Sequence, residues 1–145
     1  MDYRVERLRT PAECESFARN AIDRKRPELA SAARRKALTM QAETHAPSSP
    51  VEAEAFVAVY AYELHLTRKN GRKTRAAKTW AIAKSQGIIQ AIQKAVESPP
   101  DPAVVAGLRE LGLEDLTFDA LVVRNEAAFD APTVQLSKSR LTNAA

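Results

Sequence analysis

The chain has 145 residues, of which 45% are hydrophobic and 28% are charged, and its net charge is +4. A chain of this size can bury about 70% of its unfolded surface, so it needs neither a disulfide nor a metal to fold. Its only cysteine, Cys14, excludes an internal disulfide and a cysteine metal cluster. We expect one helical domain over residues 1–145, with 98–102 as a candidate subdomain boundary, where the chain is rich in proline and turns acidic.

The distribution of apolar residues also predicts where in the cell the protein is located. The sequence lacks the run of about 20 apolar residues that spans a bilayer. Its first ten residues are charged and contain no apolar core of the kind a secretory signal has. We therefore expect a cytoplasmic protein that does not bind membranes.

Capping signals and apolar spacing predict an all-α fold. Thr10 and Ser49 each precede a proline and have a glutamate three residues later, a pattern that starts helices. Apolar residues then recur at helical spacing. Few aromatic residues and many alanines also favour closely packed helices. We predict a compact bundle of seven or eight short helices, beginning near Pro11, Pro27, Pro50, Arg75, Ile88, Pro102, Leu113 and Ala131.

The predicted helix at about 50–69 should be the centre of the bundle. It carries apolar residues on two faces, which is typical of a helix with neighbours on both sides. Asn70 and Gly71 should end it, because both residue types adopt the left-handed conformation of a helix C-cap.

The strongest functional signal is a basic tract that follows this helix. No acidic residue occurs between Glu63 and Glu97, whereas eight lysines and arginines do. Since the whole chain is only +4, the rest of it is net negative. A one-sided patch of this kind attracts polyanions. The predicted nucleic-acid-binding residues are Arg68, Lys69, Arg72, Lys73, Arg75, Lys78 and Lys84.

Most of these bases surround a predicted helix N-terminus. With Thr74 as its cap, this helix would run from Arg75 to Gln86, and Arg72 and Lys73 would crowd its start. A helix N-terminus is already positive, because its first N–H groups are free and the helix dipole points that way. Phosphate would relieve the repulsion, since N–H groups and guanidinium forks can hold its oxygens together.

Two alternatives compete with phosphate binding. The tract can be a solvated helix end that only keeps the protein dissolved, or its bases can pair with acids of the C-terminal third. Two further basic runs, 24–26 and 34–36, are diluted by acids, so we interpret them as a solvated hairpin edge. The C-terminal acids considered are Glu110, Glu114, Asp115 and Asp119.

Residues 79–96 match a helix-turn-helix in part. Gly87 would be the turn glycine and Ala83 lies at the expected place before it, but Gln86 and Gln93 fall where apolar residues are usual. A helix-turn-helix would dock in the major groove. A basic helix terminus would contact phosphates with little sequence preference.

Trp80, the only tryptophan, has two interpretations. It can be a platform on which an exposed base stacks, with Lys73 and Lys84 beside it. It can also be a core anchor, which the alanines around it favour.

Nothing in the sequence predicts catalysis. His45 and His65 should lie about 20 Å apart at 1.5 Å per residue, which is too far for a shared metal. His65 could contact phosphate or lie in water, and Cys14 falls on an apolar stripe typical of an inert core thiol. The glycines form no phosphate-binding loop, since each lies near a predicted helix end or break.

We therefore predict a non-enzymatic nucleic-acid-binding protein without a cofactor or metal, with DNA as a better candidate than RNA. The alternative is an adaptor whose basic tract docks an acidic protein partner or a second copy of the chain.

Overall fold

The computed structural model describes residues 2–143, and this range contains nine α-helices and no strand. The prediction of an all-α bundle is confirmed. The helices are α1 (Tyr3–Glu6), α2 (Pro11–Asp23), α3 (Pro27–Glu43), α4 (Pro50–Asn70), α5 (Ala77–Gln86), α6 (Ile88–Glu97), α7 (Pro102–Glu110), α8 (Phe118–Arg124) and α9 (Ala131–Asn143), with short 3₁₀ turns at Glu114–Leu116 and Glu126–Ala128.

The predicted capping boxes start two of the longer helices. Thr10 Oγ1 accepts the Glu13 N–H at 3.1 Å, and the Glu13 carboxylate accepts the Arg9 N–H in return. Ser49 Oγ and Glu52 repeat this arrangement at the start of α4. The start of each helix is therefore encoded locally, as the sequence indicated.

Two parts of the chain depart from the prediction. Helix α1 was not predicted, and it is held by Lys36 of α3, whose Nζ donates to the carbonyl oxygens of Val5 and Glu6. The segment 113–124 is not one helix, because Thr117 interrupts it and caps α8 by accepting the Ala120 N–H.

Helix α4 lies at the centre of the bundle, as predicted. It contacts α3, α6, α7 and α8. Its alanines, such as Ala55, Ala58 and Ala61, are buried and allow the neighbouring helices to approach closely. Gly71 ends α4 in the left-handed conformation, with φ of 73°, and thereby turns the chain into the basic tract.

Three apolar clusters fill the bundle. One lies in the hairpin of α2 and α3, and it contains Cys14, which is fully buried. Burial raises the pKa of that thiol, as expected for an inert core cysteine. The second joins α4 to α5, α6, α8 and α9, and the third joins α3 and α4 to α7. Both of the latter rest on α4.

Residues 98–102 connect α6 to α7 and are exposed. Arg140 of α9 donates to the Ser98 carbonyl oxygen at 3.0 Å, so this connection contacts the C-terminal helix. The subdomain boundary there stays a prediction. Among the helices of residues 2–143, none is both long enough and apolar enough to cross a membrane.

Candidate nucleic-acid interface

The seven predicted binding residues occupy the end of α4, the connection to α5, and α5 itself; we call them the basic patch. Arg68 and Lys69 lie in the last turn of α4, and Lys84 lies in the last turn of α5. Every member of the basic patch is exposed. Lys84 follows Lys78 by six residues, about 9 Å along the helix axis, so it lies at the far end of the patch.

Hydrogen bonds shape the connection that carries the middle of the patch. The Thr74 N–H donates to Thr67 Oγ1 at 3.0 Å, and Asn70 Nδ2 donates to Thr74 Oγ1 at 3.1 Å. Thr74 Oγ1 donates in turn to the Arg72 carbonyl oxygen. The backbone of 70–74 is thus folded back on α4, and the side chains of Arg72 and Lys73 are left in solvent.

The predicted start of α5 is wrong by two residues. Thr74 does not cap this helix, which begins at Ala77 after Ala76 and has no side-chain cap. The reason is a residue from another helix. Glu63 of α4 is buried, and its Oε2 accepts the Ala76 N–H at 2.8 Å. The chain therefore stays non-helical until it has passed this carboxylate.

Glu63 also supplies the anion that the sequence seemed to lack. Its Oε2 accepts the Nε1–H of Trp80 and lies 3.4 Å from Arg75 Nε. Arg75 is therefore paired inside the protein, and the expectation that nothing balances the tract is wrong for this residue. Sequence reasoning missed the contact because Glu63 and Arg75 meet only once α5 has folded against α4.

The other six lysines and arginines of the patch have no such partner in the described part of the chain. Among residues 2–143, Arg68, Lys69, Arg72, Lys73, Lys78 and Lys84 form no ion pair.

Three of the four C-terminal acids considered above are engaged elsewhere, and the fourth, Glu110, forms no ion pair with the patch in residues 2–143. Glu114 pairs with Arg109, Asp115 with Arg35, and Asp119 with Arg140. Within the described part of one copy, the basic patch therefore does not neutralise this third of the chain. Lys94, which lies in the tract but outside the patch, is 3.8 Å from Glu97.

Trp80 belongs to an aromatic cluster rather than to an open platform. His45 stacks on it at 5.0 Å with an interplanar angle of 10°, and Tyr60 lies 5.1 Å away. The guanidinium of Arg75 lies over the same indole at 5.7 Å. The interpretation of Trp80 as a packing anchor is therefore favoured, and a base would have to displace these neighbours to stack.

The same cluster explains His45. Its ring also stacks on Phe56 at 4.3 Å, and its Nε2 lies 2.7 Å from the Tyr60 hydroxyl. Burial, followed by the charge of Glu63, raises the pKa of Tyr60, so this hydroxyl keeps its proton at neutral pH. His45 joins the end of α3 to α4 and α5, a role that the sequence did not indicate.

His65 is buried, and the expectation that it meets phosphate or water is wrong. It is 8% exposed, and its ring packs against Gly107 of α7. A Cβ built at Gly107 would lie 2.3 Å from His65 Nδ1. Gly107 lies inside α7 because the histidine needs the space, not because the helix breaks there as the sequence suggested.

The arrangement of α5 and α6 does not favour a helix-turn-helix. The two helices are separated only by Gly87, whereas the motif uses a turn of three or four residues. Gln93 of α6 donates to Gln90 and accepts the Asp130 N–H. The amide side chains that would read bases are thus used within the fold.

No group of three or more histidine, cysteine, aspartate or glutamate side chains that could hold a metal occurs in residues 2–143. No protein-family model, curated protein or solved structure matches the chain. The residues themselves are therefore the basis for a functional proposal.

Proposed function

We propose that this protein is a non-enzymatic nucleic-acid-binding protein, and that the basic patch contacts the phosphates of duplex DNA. The observation that carries the proposal is the exposure of the seven lysines and arginines of the basic patch, six of which form no ion pair among residues 2–143. When closely spaced lysines and arginines bind a polyanion, they release its counterions, and this release favours binding.

The form of the patch supports phosphate contacts rather than base readout. Most of its lysines and arginines lie at helix ends or in the connection between α4 and α5. The glutamines of α6 are hydrogen-bonded within the fold. Phosphate contacts position a protein on DNA but carry no sequence information. We therefore expect binding with little sequence preference.

The aromatic cluster supports DNA duplex over single strands. Proteins that bind single-stranded nucleic acid or RNA loops stack bases on exposed aromatic rings. Trp80 is half-buried and is covered by His45 and Arg75. Duplex DNA needs no such platform, because its bases are already stacked.

The test is fluorescence anisotropy with labelled duplex DNA, single-stranded DNA and RNA at about 50 and 200 mM salt. We expect duplex DNA to bind best, and its affinity to fall steeply between the two salt concentrations. Replacing Arg72 and Lys73 by alanine should lower the slope of log K against log salt by about 2, one for each lost phosphate contact.

A matched control is the double variant Arg7→Ala and Arg9→Ala. These two bases are also exposed, and neither forms an ion pair in the described chain, but they lie before α2 and outside the patch. The control removes the same net charge and should keep the wild-type slope. Equal losses in both variants would mean that net charge alone attracts DNA. No binding at low salt would reject the proposal.

One observation favours the adaptor as a second candidate. A groove of about 590 Å³ adjoins the patch, with Lys78 at its edge and Ile82, Val104 and Phe118 on its apolar wall. An acidic protein that inserts an apolar side chain would satisfy both features. Isolation of such a partner, lost on Lys78→Glu and kept on Arg7→Glu, would support the adaptor. Light scattering over a concentration series would show whether the partner is a second copy.

A further inference from the structure

Arg34 is a buried cation, and within residues 2–143 one of its guanidinium nitrogens, Nε, is buried without a hydrogen-bond partner. Arg34 lies on α3 and is 6% exposed. The carboxylate of Glu15 lies 3.7 Å from Nε, within range of an ion pair but too far for a hydrogen bond. Buried charges are normally paired and hydrogen-bonded, so the charge of Arg34 is incompletely compensated.

A cavity of about 420 Å³ lies against Arg34, between the α2–α3 turn and the end of α7. Ile22, Pro27 and Leu111 give it an apolar wall. Arg109 supplies a second guanidinium, and this one is already held by Glu114 at 2.8 Å. The volume lies in the range of small-molecule sites. Arg34 is therefore the one buried charge in the described part of this lining that lacks a full set of partners.

The electrostatics of the cavity favour an anion on Arg34. Burial, the largest influence, lowers the pKa of Arg34, as do the nearby charges of Arg68 and Arg19, while Glu15 raises it. The charged form of Arg34 is thus under-compensated by the protein alone. An oxyanion in the cavity would supply the countercharge that the guanidinium lacks, since a guanidinium bonds a carboxylate or phosphate oxygen strongly.

Two acids limit which anion fits. Glu28 and Glu110 also line the cavity, and Glu28 is paired with Arg26 at 2.6 Å. They would repel a highly charged ligand such as a polyphosphate. The site suits a small molecule with one carboxylate or phosphate group and an apolar body that lies on Ile22 and Leu111.

We propose that this cavity, the Arg34 cavity, is a binding site for a small molecule whose single oxyanion group is held by the guanidinium of Arg34. No member of the basic patch lines this cavity in the described chain, although the charge of Arg68 acts on Arg34. The occupant is not nucleic acid, which a cavity of this size cannot admit.

The test is a nuclear magnetic resonance titration of the arginine Nε–Hε signals with inorganic phosphate and, separately, acetate. Ionic strength is held constant with sodium chloride. The Arg34 signal is assigned by its disappearance in Arg34→Lys. We expect this signal to shift and saturate with at least one of the two anions, and the anion that saturates it identifies the oxyanion class.

A second variant leaves the buried charge in place. Ile22 is 46% exposed, so Ile22→Trp should fold while its larger ring fills the cavity. We expect it to weaken binding at least tenfold. The signal of Arg7, an exposed arginine outside the cavity, serves as the internal control. A shift of Arg34 that fails to saturate with either anion, that only parallels Arg7, or that Ile22→Trp leaves unchanged would overturn the proposal. None of these outcomes bears on DNA binding.

Discussion

Residues 34–36 and residues 68–73 are both rich in lysine and arginine. The side chains of the first group contact other parts of the protein, whereas those of the second group are exposed. In the first, Arg35 holds Asp115 with two hydrogen bonds of 2.8 and 3.0 Å, and Lys36 donates to two carbonyl oxygens of α1. Arg34 is buried beside Glu15. In the second, every base is exposed, and none forms an ion pair among residues 2–143.

The difference follows from the neighbours of each helix. Residues 34–36 lie in the middle of α3, which is covered by α1, α2 and α4, so acids and carbonyl oxygens are within reach. Residues 68–73 lie where α4 ends, and all six are exposed. Clustered lysines and arginines are therefore available to a binding partner where no acid or carbonyl oxygen of the protein itself binds them.

Glu63 pairs with Arg75, just beyond the second region, and its removal should have the largest effect. In Glu63→Ala the Ala76 N–H and the Trp80 Nε1–H lose their acceptor, and Arg75 loses its partner. We expect a loss of about 2–3 kcal/mol, as for buried hydrogen bonds to a charged group. Urea unfolding measures it.

The control for this variant is Glu126→Ala, which removes an exposed acid that pairs with Lys138. Such pairs contribute about 0–1 kcal/mol. Glu63→Gln keeps one carbonyl acceptor and should lie between the two. If Glu63→Ala cost no more than Glu126→Ala, Glu63 would not organise the start of α5.

The pair of Arg35 and Asp115 sharpens the comparison through its pH dependence. The hydrogen bond from Arg35 is the main cause that lowers the pKa of Asp115. A carboxylate whose folded pKa is depressed stabilises the protein above its unfolded pKa of about 3.9, and this contribution is lost as the pH falls through the folded value.

Arg35→Ala should therefore cost about 1 kcal/mol at neutral pH, since the pair is bidentate but partly exposed. The difference from wild type should shrink below about pH 4. Urea unfolding at pH 7, 5 and 3 tests this, with Arg9→Ala as a variant without an ion pair. A difference that is as large at pH 3 as at pH 7 would show that Asp115 is not the relevant partner.

The sequence predicted most of the helices because their start signals are local. Thr10 and Ser49 bond to residues three positions away, and Gly71 adopts the left-handed conformation, which costs a glycine little. Helix α1 escaped prediction because it depends on Lys36, about 30 residues further along the chain.

The sequence predicted which residues make up the candidate site, but not which of them form ion pairs. The positions of the bases and their exposure could be inferred from an acid-free tract. That Arg75 is neutralised by Glu63 could not, since the two residues belong to different helices. The opposite error concerned Arg34 and Lys36, where a basic run suggested a solvated edge and the structure instead buries or binds the side chains.

The smallest effect on stability is expected for the patch itself. Arg72→Ala with Lys73→Ala removes two exposed side chains whose charged groups form no ion pair in the described chain. We expect the free energy of unfolding to stay within about 0.5 kcal/mol of wild type. Because neighbouring bases repel one another, any change should be a slight gain at low salt that disappears at about 1 M salt.

Urea unfolding at both salt concentrations measures this, with Arg35→Ala and Lys36→Ala as the matched double variant. Both pairs are adjacent bases and remove the same charge, but the second pair binds acids and carbonyl oxygens. Only the second should be clearly destabilised. A loss above about 1 kcal/mol in the patch variant would mean that its bases stabilise the fold, since changes at free surface positions cost less than this. The two regions would then not differ as argued, and there would be no reason to regard the patch as available to a binding partner.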